Sequence, residues 1–439
     1  MMEPLEEALS SFLSTLLDVD MDAAGDLRTL LGHKVKQAGM GIPKPTVSAK
    51  TAFKTSEEAS QLLISSLKQR LDVDVDRHKA QVARARNTAV ADRETVEKAE
   101  CNRQLENATR QEENRIKRAK ESGAWLTCCP STKMGTLLSR DEFVDNARWR
   151  NGFAPTNLPE TCDGCGERFT TEHGLNCKVG GLVHERHEIV ADEWEYLGAM
   201  AFSPSACSHR PKVNEGNPRG AGNGGTGAPQ LAPVFRARAT VGGNQAAGGG
   251  NGATNGGTTA TNGGAGATNN ANNANNNTAA AEGVAAAVVE TDLEGDKGIR
   301  GFWSHGRECI FDIRITNTDS RSHRNRDASK VLASQEKEKK DKYERACREQ
   351  RKDFSPLVYS IDGMAGPKTR AAERRLAARF AWKWKREYSE MVGFVRTRMS
   401  LAVVRANSLM WRGSRTRRRA HPGTIQNGGA METWQTFGE

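Results

Sequence analysis

The chain has 439 residues, of which 36% are hydrophobic, and a formal charge of +10. This length allows two or three domains, but the modest apolar fraction indicates that much of the chain lies outside a core. No run approaches the roughly 18 to 20 apolar residues of a membrane span, so no membrane partner is expected. Nine cysteines, without an apolar signal sequence, indicate a reducing compartment rather than a disulfide framework.

The first part of the chain is predicted to be helical. After short amphipathic runs and the turn GMGIPKP, residues 46–122 contain neither Gly nor Pro, which favours an almost continuous helix. The second half of this stretch is too polar to be buried on all sides, so it is predicted to be a long exposed helix or a bundle arm. Residues 1–122 are therefore interpreted as a helical region and 123–160 as a linker region with short helices.

Residues 161–182 contain a cysteine and histidine motif with the spacing C-x2-C-x7-H-x3-C. Its candidate ligands are Cys162, Cys165, His173 and Cys177. Thiolates and an imidazole at this spacing suit tetrahedral zinc. Gly164 and Gly166 are predicted to permit the tight turn. Because protein groups fill all four positions, the site is predicted to be structural, with unligated cysteines as the alternative.

A helix is predicted at about 184–199, and a long low-complexity stretch follows it. From residue 239 to 281 there is no charged and no aromatic residue, and the composition is almost wholly Gly, Asn, Ala and Thr. Such a segment cannot bury enough apolar surface to offset its ordering entropy. We expect residues 216–285 to be a disordered insertion that separates two parts of one core, 183–215 and 286–366.

The second part of that core carries the candidate catalytic residues. Alternation in ECIFDIRIT, residues 308–316, predicts a strand with Asp312 and Arg314 on one face. Asp296 lies 16 residues before Asp312, so a hairpin would bring both carboxylates to one edge, where they suit Mg²⁺. Taken singly, each Asp is more often a surface or turn residue.

A charged helix at about 329–352 follows, and a strand at 355–362 comes after it. One stripe of the helix is formed by Leu332, Gln335, Lys339, Tyr343 and Ala346. The stripe places Lys339 on the packing face, where an ammonium needs an anionic partner. A lysine that snorkels from the edge of the face is an equally weighted alternative.

The C-terminal part is strongly basic. Between residues 367 and 419 there are 16 Lys or Arg against three Glu, which indicates a phosphate-rich partner, with a solvated helix face as the alternative. We predict two basic helices within 367–413 and a disordered tail at 414–439, whose run SRTRRRAH is compatible with nuclear import. Three tryptophans lie among these basic residues, and core packing is expected for at least two of them: Trp382, Trp384 and Trp411.

Taken together, these motifs resemble the C-terminal part of non-LTR retrotransposon proteins of the restriction-like endonuclease group. The resemblance rests on CDGCG…FTTEHGLNCKVGGLVHERHEIV, RGFWSHGRECIFDIRITNTD and the KEKKDKY helix, and it covers about 123–215 and 292–413. It implies a mixed α+β fold. A helical region similar to the segment after the polymerase thumb would precede a Cys-Cys-His-Cys zinc knuckle and a small mixed-sheet PD-(D/E)XK-like core, with the order helix, three strands, helix, strand and with flanking helices.

The resemblance also implies roles for individual residues. It makes the four cysteine and histidine residues zinc ligands, and Asp296 and Asp312 ligands of Mg²⁺ or Mn²⁺. Further catalytic residues would be Lys339, Arg314 and Tyr343, and Glu215 would match an acidic residue before the second strand. Nucleic-acid contacts are expected from basic residues of the first nuclease helix and the C-terminal helices: Arg186, His187, Lys383, Lys385, Arg386, Arg396, Arg398, Arg405 and Arg412. This sequence departs from the family's motif in two respects. No Pro precedes Asp296, and Arg314 stands where the family has lysine.

The function expected from this resemblance is a metal-dependent DNA endonuclease of a retroelement, acting in the nucleus and nicking target DNA for integration. DNA is the expected partner, with element RNA as a second. The sequence has no Asp-Asp dipeptide and hence no polymerase Y-x-D-D site, so a reverse transcriptase would be encoded elsewhere. The main alternative is a truncated, catalytically inactive retroelement fragment that binds nucleic acid through its knuckle and basic helices. A helical scaffold without affinity for DNA is the third reading.

Overall fold

The computed structural model describes residues 2–21, 23, 25–213 and 293–416. The predicted insertion at 216–285, Glu215 and the chain after residue 416 lie outside the described residues. The described part is mixed α+β, mostly helical, with a small four-stranded sheet. Within it, no helix has both the length and the apolarity needed to cross a membrane.

The N-terminal region is built from five helices within the described residues. These are α1 (Glu3–Leu17), α2 (Leu27–Gly32), α3 (Pro45–Gln69), α4 (Val75–Asn107) and α5 (Arg110–Ser122). The predicted continuity across 46–122 is broken twice. Arg70 adopts a left-handed backbone after α3, and side-chain caps from Asp74 and Thr109 start the next two helices. No residue of α3 is buried, so α3 and the first part of α4 form an exposed arm. The second part of α4 packs on the fold, because Cys101 is fully buried beside Leu30 and Ile116.

The middle of the chain holds short elements followed by one long helix. They are α6 (Arg140–Arg150), α7 (Thr171–Asn176) and α8 (Leu182–Ala201), with single 3₁₀ turns at Ala124–Leu126, Val179–Gly181 and Pro204–Ala206. An early 3₁₀ turn lies at Val35–Gln37. Helix α8 starts two residues before the predicted helix and ends two residues after it.

The sheet has the strand order β1-β2-β3-β4, and its strands are β1 (Cys207–His209), β2 (Lys297–Arg300), β3 (Glu308–Thr316) and β4 (Asp353–Ser360). The first three strands are antiparallel, and β3 pairs with β4 in parallel. Helix α9 (Ala328–Glu349) supplies the crossover that a parallel pair requires. The element order after the knuckle is thus helix, three strands, helix, strand, which is the order that the family resemblance implies.

Helices cover both faces of the sheet. On one face, α8 and the C-terminal helices α10 (Pro367–Trp384) and α11 (Tyr388–Arg412) enclose a core that includes Trp194, Phe302 and Phe311. On the other face, α9 packs Tyr343 against the region of Ile310. Because side chains alternate along a strand, Phe311 and Ile313 enter the first core while Asp312 faces α9.

Residues 123–160 are not a linker. Trp125 and Ala147 are buried together with Leu13 and Leu31 of the N-terminal helices and with Val404 of α11. The side chain of Asn146 also donates to the carbonyl of Val404 at 3.0 Å. Tertiary packing of this kind joins the N-terminal helices to α11 in one core. The apolar and aromatic residues of 123–160 are visible in the sequence, but their partners on distant helices are not.

The C-terminal tail begins later than predicted. Arg415 is 2% exposed, and its guanidinium donates to the carbonyl of Gly174 at 2.8 Å. Its backbone N–H donates to Asp163 at 2.8 Å. Residues 414–416 are therefore ordered against the knuckle (residues 161–182), because the arginine finds carbonyl and carboxylate acceptors there.

Candidate functional site

The knuckle brings its four candidate ligands together. The distance between the sulfurs of Cys162 and Cys177 is 3.9 Å, and Cys165 Sγ lies 3.4 Å from His173 Nε2. Tetrahedral zinc with Zn–S bonds near 2.3 Å places its ligand atoms about 3.8 Å apart. All four ligand atoms lie within 4.8 Å of one another, so this group can hold a metal ion such as zinc.

Local backbone bonds shape the knuckle turn. The N–H of Gly166 donates to the carbonyl of Cys162 at 2.9 Å, and Gly166 has a φ of 76°, which explains the requirement for glycine there. Gly164 serves differently, since a β-carbon at this position would lie 2.7 Å from Cβ of Arg415. Although burial opposes it, backbone N–H groups of Cys165 and Gly164 lower the pKa of the Cys162 thiol to about 6. This favours the thiolate that metal binding requires.

The carboxylate of Glu167 lies beside His173, the histidine of the knuckle. Glu167 Oε2 lies 3.4 Å from His173 Nδ1, while His173 Nε2 faces Cys165. A carboxylate on one ring nitrogen leaves the other free to bind a metal, which is the usual outer-sphere arrangement of metal-binding histidine.

The two predicted catalytic carboxylates meet where β2 begins beside β3. The backbone N–H of Asp296 donates to the carbonyl of Phe311 at 2.9 Å, and its Oδ2 accepts from the N–H of Ile313 at 2.6 Å. These two bonds hold Asp296 directly against Asp312, which stands between Phe311 and Ile313. The predicted hairpin placement of the two carboxylates is confirmed in this respect.

Helix α9 places Lys339 against the anionic partner that its position on the packing face requires. Lys339 Nζ lies 2.5 Å from Asp312 Oδ2, and the lysine side chain is 20% exposed. Tyr343, one turn later, is 4% exposed, stacks on Phe354 and directs its hydroxyl at Asp312. Lys339 therefore pairs inward with a carboxylate and does not snorkel into solvent.

Adjacent residues of α8 point in two directions. His187 Nε2 lies 3.0 Å from Asp296 Oδ2. Arg186 is 8% exposed and donates to the carbonyl of Leu175 in the knuckle at 3.1 Å. Both had been expected to contact nucleic acid, but the structure gives Arg186 a buried partner in the knuckle and His187 a place at the carboxylate pair.

The two carboxyl groups differ in proton affinity. Burial raises the pKa of Asp312, and the charge of Asp296 raises it further against the attraction of Lys339. Burial also favours the neutral form of Asp296, but the hydrogen bond and charge of His187 outweigh it and lower the pKa of Asp296. Burial would lower the pKa of His187, but Asp296 and Glu188 raise it. Paired groups with opposite shifts are typical of sites that bind cations or move protons.

The motif His184-x-x-His187-Glu188 was not singled out from the sequence. Its three potential ligand atoms lie within 4.8 Å of one another beside Asp296. The i, i+3, i+4 spacing on a helix is a signal that would have found the group. His184 is largely exposed, with 65% of its side chain accessible, whereas His187 and Glu188 are each about a quarter exposed.

The remaining predicted site residues divide into two groups. Arg314 lies on the face of Asp312 but pairs with Glu338 at 3.0 Å. Three arginines of α11 are held by internal partners: Arg398 by Glu193, Arg405 by the carbonyls of Gly135 and Leu137, and Arg412 by Asp145. Four basic residues are exposed on α10, on α11 or in the turn between them: Lys383, Lys385, Arg386 and Arg396.

The tryptophans follow the expectation that at least two pack in the core. Trp411 is 1% exposed, and Trp384 packs on Phe380 and Phe394. Trp382 is 61% exposed, with Arg379 lying 4.4 Å from its ring centroid.

No protein-family model matches this sequence, and no curated protein matches it either.

Proposed function

We propose that this chain is a metal-dependent DNA endonuclease domain of a retroelement, one that nicks target DNA for integration. The observation that carries the proposal is the meeting of Asp296, Asp312 and Lys339, which come from two strands and a helix. Paired carboxylates beside a lysine are suited to hydrolysis of a phosphodiester, because they supply cation ligands and a fixed positive charge at one place.

Asp296 and Asp312 would hold the catalytic cation, Mg²⁺ or Mn²⁺. Such an ion, when bound, activates water and neutralises charge on the scissile phosphate. The 3.0 Å contact between His187 and Asp296 supports a further role for this histidine, because it fixes the orientation of the carboxylate.

The neighbouring side chains would act on charge and position. Lys339 stabilises negative charge that develops on the phosphate. Burial, and then the charge of Asp312, raise the pKa of Tyr343, so its hydroxyl stays protonated and serves as a donor. Arg314 can act as an electrostatic clamp once released from Glu338.

DNA would be held through its backbone by the exposed basic residues. Lys385 lies 5.5 Å from the ring centroid of exposed Trp382, and Lys383 and Arg386 are exposed in the same stretch of chain, where α10 ends. Lysine and arginine contact phosphates, and an exposed aromatic ring can stack on an unpaired base. Affinity should therefore be salt-dependent and largely independent of sequence.

Structural zinc would hold the knuckle, since its four ligands leave no open position for substrate. A reverse transcriptase would extend the nicked end in the nucleus, with element RNA as template.

The first test is nicking of supercoiled plasmid by the zinc-loaded chain in Mg²⁺ or Mn²⁺. Asp312→Asn should lower the rate by more than about 100-fold, because loss of even outer-sphere partners of a metal costs about 10- to 100-fold. Asp341→Asn is the matched control, since this exposed aspartate lies on α9 and pairs only with Lys337 among the described residues. The control should nick like the wild type.

DNA affinity is measured in parallel to separate the alternatives. If the wild type binds DNA and leaves plasmid intact with both metals, the chain is better explained as an inactive nucleic-acid-binding fragment. If Asp312→Asn nicks at the wild-type rate, the site is elsewhere.

A further inference from the structure

A small cavity lies away from the carboxylate pair, among α5, α6, α11 and the turn after β4. Its volume is about 20 Å³, enough for one occupant of about the size of water. The polar side chains that line it are Arg115, Ser122, Asn146, Arg150 and Asp362. Trp125, Trp149, Ala119 and Val404 form its apolar wall.

Arg150 is the unusual member of this lining. It is 6% exposed, and one terminal nitrogen donates to the carbonyls of Val35 and Gly39 at 3.3 Å each. Its Nε and Nη1 are buried and have no hydrogen-bond partner among the described residues. A buried charged donor without an acceptor is costly, so these two N–H groups call for an occupant that accepts.

The charges around the cavity do not balance. Arg118 pairs with both nearby carboxylates, with Asp319 through two nitrogens and with Asp362 through Nε at 2.5 Å. The second oxygen of Asp362 accepts from Trp149 Nε1 at 3.0 Å. Both acids are thus engaged, and Arg115 and Arg150 form no ion pair among the described residues.

Glu112 and the protonation of Arg150 also affect the balance of charge around the cavity. Glu112 attracts Arg115 along α5 but is exposed and caps the start of that helix through Thr109. Burial lowers the pKa of Arg150 to about 10, which leaves its guanidinium charged at neutral pH. Three guanidinium groups therefore face two carboxylates in a largely buried network.

We propose that this cavity binds a small monovalent anion, chloride by size, held by the free N–H groups of Arg150 and by the charge of Arg115. A water molecule would satisfy the hydrogen bonds of Arg150 but would leave the positive charge uncompensated. The small volume of about 20 Å³ favours a monatomic anion over phosphate or sulfate. The bound anion would join the N-terminal helices to α6 and α11, because Arg150 also contacts the loop that contains Val35 and Gly39.

The test is thermal unfolding of the full zinc-loaded chain, with chloride replacing gluconate at constant ionic strength. Tm should rise by a few degrees and then saturate, because a ligand that binds only the folded state stabilises it by mass action. In Arg150→Met the saturable rise should disappear. The matched control is Arg345→Met, an exposed arginine on α9 that should keep the rise.

A measurement on the wild type alone covers the case in which Arg150→Met does not fold. Exchange of chloride with the site should broaden the chloride NMR line, and excess bromide should reverse the broadening. Identical Tm values in chloride and gluconate, or the absence of bromide-sensitive broadening, would show that the cavity holds water and would overturn the proposal.

Discussion

Glu373 of α10 is a carboxyl buried in the core. It is 4% exposed and accepts a hydrogen bond from the Tyr359 hydroxyl at 3.0 Å. Burial raises the pKa of Glu373 to about 7, although the bond from Tyr359 acts in the opposite direction. The folded chain therefore keeps a proton on Glu373 at pH values where the unfolded chain has released it.

This carboxyl predicts a loss of stability between pH 4.5 and about 7. The folded pKa lies above the ordinary value of 4.5, so the stabilisation is complete below pH 4.5 and is lost as pH rises through the folded pKa. At about 1.4 kcal/mol per pKa unit, the free energy of unfolding should fall by about 3 kcal/mol. Urea unfolding across this range should show the loss in wild type and in Glu349→Gln, an exposed control, but not in Glu373→Gln. An unchanged slope in Glu373→Gln would assign the effect to another group.

The candidate site shows which contacts between single residues a sequence can predict. Helical periodicity placed Lys339 and Tyr343 on the packing face of the helix, and strand alternation placed Asp312 and Arg314 on one face of the strand. The contact of His187 with Asp296 was not predicted, because it depends on how α8 docks on the sheet and joins residues on either side of the long insertion. Internal partners for Arg398 and Arg412 were missed for the same reason, since Glu193 and Asp145 are distant in sequence.

Among the elements, the knuckle and the end of α11 depend on each other. Arg415 inserts its side chain between Gly174 and Met410, and its backbone is held by Asp163. A chain segment anchored on a metal-held turn loses its anchor when the turn unfolds.

Metal removal should therefore loosen two separate segments. After chelation, hydrogen exchange should rise in 161–182 and in 410–416, while β3 and β4 should exchange as before. Elemental analysis should find one zinc per chain in the wild type and in Cys129→Ser, an exposed cysteine outside the knuckle, but none in Cys165→Ser. Zinc retained by Cys165→Ser would disprove the ligand set.

The prediction of elements succeeded where a pattern was strong and local. The strand at 308–316 and the two basic helices have clear periodicity. The breaks at residues 70–74 and 108–109 were missed because the stretch contains neither Gly nor Pro to mark them. The signal for the second break was present, since Thr109 and Glu112 form a capping box.

On the scale of the whole molecule, the long segment between β1 and β2 has a simple attachment. The N–H of Val213 donates to the carbonyl of Leu293 at 2.7 Å. The backbones of Lys212 and Glu294 form an antiparallel β-bridge. The described residues on either side of 214–292 are therefore neighbours in the fold.

Replacing residues 216–290 with a four-residue Gly-Ser linker should leave plasmid nicking unchanged. If the segment is disordered as its composition predicts, stability should rise by about 2 kcal/mol, because closure cost grows by about 0.6 kcal/mol for each doubling of loop length. Urea unfolding of the two chains measures the difference. A less stable shortened chain would show that the segment contributes packed structure.

The domain boundaries were the least predictable feature. Residues 123–160 were predicted to be a linker region with short helices and 414–439 a disordered tail, yet Trp125 and Arg415 are almost fully buried. Their partners lie on distant helices, so the sequence did not indicate where these residues would pack.

Helix α8 carries a further consequence, since its neighbouring residues Arg186 and His187 serve the knuckle and the carboxylate pair. Successive residues of a helix are separated by about 100° of rotation. One residue inserted between these two would turn one side chain out of phase with its partner while lengthening the helix by only about 1.5 Å. The relative position of the two sites therefore depends more on the rotation between Arg186 and His187 than on the distance between them. Natural variants of this chain should tolerate changes of length between β1 and β2 but not within the first turns of α8.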